Sequence, residues 1–98
     1  MFRAVFLTLA KADIRNSARW YEQQQQGLGE KFANEVREKI RFIQKFPESA
    51  RLRNSVVRTA VVEIFPFMIH YQIDESRRLV IISAVIHTSR NPKIWKQR

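Results

Sequence analysis

Both glycines of this 98-residue chain fall at positions 27 and 29, and neither glycine nor proline occurs from Thr8 to Gln26 or from Glu30 to Phe46. Two long stretches without a breaker, separated by a short glycine turn, leave few folding options. Ile14, Ala18 and Tyr21 in the first, and Phe32, Val36, Ile40 and Ile43 in the second, recur at spacings of three and four. That is the period of an amphipathic helix, written twice. The spacing predicts helices over about 9–26 and 29–46, with Gly27 as the left-handed residue ending the first and Pro47 closing the second. A turn this short packs them as an antiparallel hairpin.

The second half of the chain changes period. Val57 to Phe65 is rich in β-branched residues and ends at Pro66. Phe67, Ile69, Tyr71 and Ile73 then alternate with Met68, His70 and Gln72, which predicts a half-exposed strand. Asp74 to Arg77 reads as a turn, and the nearly continuous apolar run from Leu79 to His87 as a strand covered on both faces. These three form an antiparallel meander. Leu52 and Val56 mark an earlier short strand, and Phe2 to Thr8, ahead of the helices, joins the same sheet. The expected fold is α+β in one domain spanning residues 1–98. An N-terminal strand precedes the hairpin, the meander packs on it, and the opposite sheet face stays largely open.

Composition narrows the function classes. Eighteen Lys and Arg against nine Asp and Glu leave a net charge of +9, which favours a polyanion or an acidic protein partner. Residues 1–50 carry +3 of this and residues 51–98 carry +6, so the excess belongs to the sheet half. Arg51, Arg53 and Arg58 open the meander, and Arg90, Lys93, Lys96 and Arg98 fill the tail without an acid. A guanidinium fork suits phosphate or carboxylate oxygens held bidentately. The absence of cysteine excludes a disulfide scaffold, a thiolate nucleophile and Cys-ligated zinc. The longest uncharged apolar run, Leu79 to Ile86, is far short of a membrane span. The N-terminal apolar residues read as a strand rather than a signal peptide, and a cytoplasmic location is expected.

The titratable residues offer little classical machinery. No nucleotide-binding glycine motif and no H-E-x-x-H pattern occurs, and His70 and His87 stand on separate strands, so neither a metal nor a cofactor is expected. Cleavage of RNA by its own 2′-hydroxyl is one reaction these residue types allow. It needs proton-transfer groups and cations around the phosphate. Arg51, Arg53, Arg58 and Arg90 would supply the cations, and His87 or Tyr71 the proton transfer. Against this, His87 ends a buried strand in phase with Val85 and Ile81, the place of a structural histidine. Tyr71 runs in phase with Phe67 and Ile69, and His70 is expected on the more exposed face. Trp95, beside Ile94, is expected to fold back over a sheet edge, with a stacking platform for a base as the sharper alternative.

The order of motifs resembles the ParE/RelE toxin superfamily from end to end. The first half of the resemblance lies in Asp13-Ile14, Trp20-Tyr21-Glu22 and Gly27-Leu28-Gly29-Glu30-Lys31-Phe32. The second lies in Phe46-Pro47, Arg58, Phe65 to Tyr71, and Ala84 to Pro92 followed by Trp95. The resemblance is strongest to the ParE-like plasmid stabilization branch. It implies a strand, a helical hairpin and an antiparallel sheet. It also implies the toxin of a type II toxin–antitoxin pair, hetero-oligomeric with a small antitoxin whose acidic C-terminal segment lies between hairpin and sheet. Arg58, Phe65 and Tyr71 are the expected antitoxin contacts. ParE-like members poison DNA gyrase, which would assign Arg90, Lys93, Trp95, Lys96 and Arg98 to the target. RelE-like members cleave messenger RNA on the ribosome, which would instead use Arg51, Arg53, Arg58, His87 and Arg90. The latter often carry a tyrosine near the C-terminus, and none follows His87 here. A basic nucleic-acid-binding module without toxicity is a third class.

Overall fold

A computed structural model describes residues 1–89. Strand β1 (Arg3–Phe6) leads into helices α1 (Thr8–Gln24) and α2 (Leu28–Lys45). Four strands follow: β2 (Arg51–Leu52), β3 (Arg58–Val62), β4 (Phe67–Asp74) and β5 (Leu79–His87). They form one five-stranded sheet in the order β1-β5-β4-β3-β2. The meander is antiparallel, as the alternation predicts, whereas β1 pairs in parallel with β5 over Leu79 to Ile82. The sheet is therefore mixed. The first strand is also shorter than expected. Leu7 is extended and donates its N–H to the Ile82 carbonyl, and its own carbonyl accepts from Lys11, so Thr8 already belongs to the helix.

The hairpin turn is built around one carboxylate. Glu22, in the last turn of α1, accepts hydrogen bonds from the Gly27 and Gly29 amides, each at 3.0 Å. Those amides are among the unsatisfied donors at the start of α2, where a negative charge is also favoured by the helix dipole. Gly27 is left-handed, with φ of +89°, but it caps the start of α2 rather than ending α1, which closes through Gln25 on the Tyr21 carbonyl. Gly29 lies against the backbone of α1 at Ala18.

The α2 stripe meets the sheet as its period requires, with Phe32, Val36, Ile40 and Ile43 all buried. On α1, Ile14, Ala18 and Tyr21 are only partly buried, against the rim of the same core. Tyr21, Phe32, Phe65 and Phe67 form one aromatic cluster, with centroid separations of 4.8 to 6.1 Å.

One irregularity sets the faces of the sheet. His70 pairs with Ala84 but Tyr71 pairs with Ile82, so Ser83 is an extra residue in β5, a β-bulge. Val80 and Ile82 pack toward the helices before it, and Val85 does so after it. Ala84 and Ile86 take the opposite face with Met68. His87 therefore shares its face with Val85 but not with Ile81, because the bulge changes the phase between them. The face away from the helices is less open than expected. Ala84, Ile86 and His70 are all buried there, His70 at 5% exposure. His70 sits within a strand paired on both sides, between Thr59 and Ala84, and its Nδ1 lies 3.3 Å from the Thr59 hydroxyl.

Candidate functional site

The two ends of the sheet carry different chemistry. At one end, β2 and β3 bring Arg51 and Arg58 together with the loop that follows α2. Arg58 faces the helix side, where its guanidinium donates to the carbonyls of Ala50 at 2.8 Å and Glu48 at 3.2 Å. Tyr71, its cross-strand partner, donates its hydroxyl to the Pro47 carbonyl. The two side chains thus hold residues 47–50 from below. Arg51 pairs with Thr59, not Arg58, so it projects from the opposite face.

Burial pushes the Tyr71 phenol above the ordinary tyrosine value of 10.0, with Arg58 acting in the other direction; burial also raises Tyr21. A raised folded-state value means the neutral phenol contributes stability that is present below about pH 10 and is lost as pH rises through the folded value. The urea midpoint of the wild type is therefore expected to fall more steeply between about pH 9 and 11 than that of Tyr71→Phe, a difference that isolates this phenol from the lysines. Equal slopes would mean that Tyr71 is not desolvated in solution.

At the other end, β5 outruns its neighbour: β1 covers only Leu79 to Ile82, which leaves the edge beyond Ser83 to other partners. The Val85 amide on that edge donates to the Asp13 carboxylate of α1 at 3.0 Å, and the Ser83 hydroxyl donates to the His70 carbonyl at 3.2 Å. Both contacts hold the bulge. Beyond it His87 emerges beside Phe67, ring centroids 5.3 Å apart. The Ser89 amide donates to His87 Nδ1 at 3.1 Å, and the Ser89 hydroxyl lies 2.7 Å from the same nitrogen. A backbone N–H can only donate, so Nδ1 carries a lone pair and the neutral ring keeps its proton on Nε2. His87 opens on a cleft of about 460 Å³ lined with Ser17, Trp20, Tyr21, Phe67 and Ser89.

Among the described residues, those proposed for RNA cleavage are not all brought to one place. Arg58 and His87 share the helix face but stand four rungs apart, about 13 Å along the strands. Arg51 lies on the other face. Phe65 and Tyr71, expected to touch an antitoxin, are core residues, and Arg58 is engaged by the loop. Arg90, Lys93, Trp95, Lys96 and Arg98 lie outside the described residues.

A sequence profile described as the ParE toxin of the type II toxin–antitoxin system, parDE, matches residues 4–92. The chain belongs to the ParE toxin family. Its solved structural relatives agree in fold. The structure described as the chromosomal ParDE toxin–antitoxin system from P. aeruginosa superposes with a TM-score of 0.78 at 17% identity, over 91% of this chain and 98% of that one. The isolated RelE toxin of E. coli gives 0.70 at 15% identity, over 99% and 95% of the two chains. The intact E. coli RelBE toxin–antitoxin complex gives 0.70 at 16% identity, over 92% and 100%. No curated protein matches the chain.

Within this ParE-family chain, two residues do more than the sequence alone indicates. Glu22 and Asp13 appear in the family resemblance only as parts of motifs, yet each is a carboxylate that satisfies backbone amides across elements. Trp20, 55% exposed on a helix whose stripe runs elsewhere, lines the cleft beside His87. A large aromatic outside the apolar period was the available signal. Among the described residues no group of three His, Asp or Glu converges as metal ligands do, and no helix is long and apolar enough to cross a membrane.

Proposed function

We propose that this ParE-family toxin acts in the cytoplasm by binding and poisoning DNA gyrase rather than by cutting RNA, with Arg90, Lys93, Trp95, Lys96 and Arg98 engaging the target. The observation that carries this reading is the separation of two nuclease candidates among the described residues, Arg58 and His87. Phosphoryl transfer needs its cations and its proton-transfer group within hydrogen-bond reach of one phosphate. Here Arg58 is bound to loop carbonyls and stands about 13 Å from His87 along the strands.

The silencing partner is a small antitoxin with an acidic C-terminal segment. A groove of about 390 Å³ between β1 and α2 suits it, with Phe6, Ile14 and Val36 along its floor and Arg3, Arg37 and Arg41 at its rim. An acidic amphipathic segment would meet guanidinium groups there and bury its apolar side chains.

Two assays separate the readings. Purified protein is expected to inhibit gyrase supercoiling and to trap cleaved DNA, while primer extension on cellular mRNA during induction shows no new codon-phased cuts. Charge reversal at Arg90 and Lys93 is expected to abolish growth inhibition with the circular dichroism spectrum unchanged. Codon-phased cuts without gyrase inhibition would establish the endoribonuclease instead. Tight, salt-sensitive nucleic-acid binding without growth inhibition would make it a non-toxic binding module.

A further inference from the structure

The cleft at His87 plays no part in the reading above, and its construction calls for a ligand. A strand that must only pack needs neither an extra residue nor carboxylate and hydroxyl groups to hold it. Here the Ser83 bulge is fixed by Asp13 on the Val85 amide and by the Ser83 hydroxyl on the His70 carbonyl. Its effect is to deliver His87 to the helix side, against Phe67 and across from Trp20 and Tyr21. Bulges that re-aim a side chain in this way are enriched at functional sites.

The lining specifies the chemistry. Trp20 and Tyr21 meet edge to face at 5.1 Å, and Trp20 remains more than half exposed, so an indole surface is available for stacking. The Ser89 amide fixes the neutral His87 tautomer with Nε2–H as a donor; the Ser89 hydroxyl, which donates to Nδ1, is left to accept, and the Ser17 hydroxyl can donate or accept. The described lining contains no carboxylate and no cation. A planar, uncharged ring bearing both carbonyl and amino groups satisfies all of these positions. An aliphatic side chain would cover the polar ones without pairing them. The volume is within the range of small-ligand sites, and the net charge of +9 favours a ligand that carries phosphate outside the cleft.

We propose that the Trp20–His87 cleft is a binding site for one unstacked nucleobase, stacked on Trp20 and hydrogen-bonded by His87 Nε2–H and the Ser17 and Ser89 hydroxyls. The base is supplied either by a single-stranded nucleic acid or by a free nucleotide. The test measures fluorescence anisotropy with the full chain at fixed salt, using a short labelled single-stranded oligonucleotide and an abasic strand of equal length. The base-bearing strand is expected to bind about tenfold more tightly than the abasic one. Trp20→Ala is expected to erase that advantage and Trp20→Tyr to keep most of it. Trp20 is exposed enough that both variants fold, as circular dichroism would verify. Competition by GMP, whose base carries both a carbonyl and an amino group, identifies the source: displacement of a guanine-bearing strand assigns the site to free nucleotides, and failure to displace assigns it to a strand, either result upholding a base site. Equal affinity for the two strands, or no effect of Trp20→Ala, would overturn the proposal and leave only phosphate attraction.

Discussion

Gly29→Ala is expected to destabilise the fold by about 2–3 kcal/mol, although Gly29 is helical and alanine is the better helix former by about 1 kcal/mol. The sign is reversed by a steric contact. A Cβ built on Gly29 would lie 2.4 Å from the Ala18 carbonyl oxygen and 3.1 Å from the Glu22 Cβ. The first neighbour is α1 backbone, which cannot rotate away as a side chain can. Accommodation requires the helices to separate, and that loosens Glu22 from the Gly27 and Gly29 amides. For a domain of this size the melting temperature should fall by about 10–20 °C, measured by circular dichroism. Gly27→Ala supplies the contrast. Nothing stands within 4 Å of a Cβ there, so its cost is only the left-handed backbone, about 1–2 kcal/mol. If Gly29→Ala melts no lower than Gly27→Ala, close approach of the helices is not what the second glycine serves.

The same pair of glycines shows what one sequence makes legible. Their isolation between two breaker-free stretches locates the hairpin to within a few residues. The α2 stripe from Phe32 to Ile43 then names the helical half of the core, because four apolar side chains at helical spacing have one way to be buried together. Sequence reasoning also reaches the meander and its order. What it misses is long-range or depends on a single residue. The parallel pairing of β1 with β5 joins segments more than seventy residues apart and leaves no local signature. Ser83 is unremarkable in composition, yet as a bulge it changes which residues share a face with His87. Strict alternation across Leu79 to His87 therefore associates His87 with Ile81 incorrectly. His70 is misplaced for a related reason: alternation assigns its face correctly, but not how covered that face is.

Charge follows a similar pattern. Counting by halves places the excess in the sheet half, and the structure gives roles to three of its described arginines. Arg58 is committed to loop carbonyls, Arg77 lies 3.8 Å from Asp74, and Arg78 stacks over the Phe2 ring at 4.4 Å. These arginines hold loops and turns at the edges of the sheet. The groove between β1 and α2 draws Arg37 and Arg41 from the half with the smaller excess, Arg37 hydrogen-bonded to Asn34 and Arg41 paired with Glu38 at 3.2 Å.

Phe32→Ala is expected to cost the most of any single truncation, about 3–5 kcal/mol. Phe32 has no exposed surface, and three aromatic contacts converge on its ring. It stacks on Tyr21 of α1 at 5.2 Å and meets Phe65 and Phe67 edge to face at 5.3 and 4.8 Å. Its removal takes away the hydrophobic transfer contribution and leaves a void bordered by rigid rings, which collapse into it poorly. Domains of this kind have about 5–15 kcal/mol of total stability, so the loss is a large share of the whole. Urea denaturation should show the midpoint lowered with the slope unchanged, and the melting temperature reduced by about 15–30 °C. Phe32→Leu should recover much of the loss, because it refills most of the volume without the ring contacts. A loss below about 1 kcal/mol for Phe32→Ala would mean that the hairpin is not held to the sheet through this aromatic cluster, and that the α2 stripe from Val36 to Ile43 carries the interface alone.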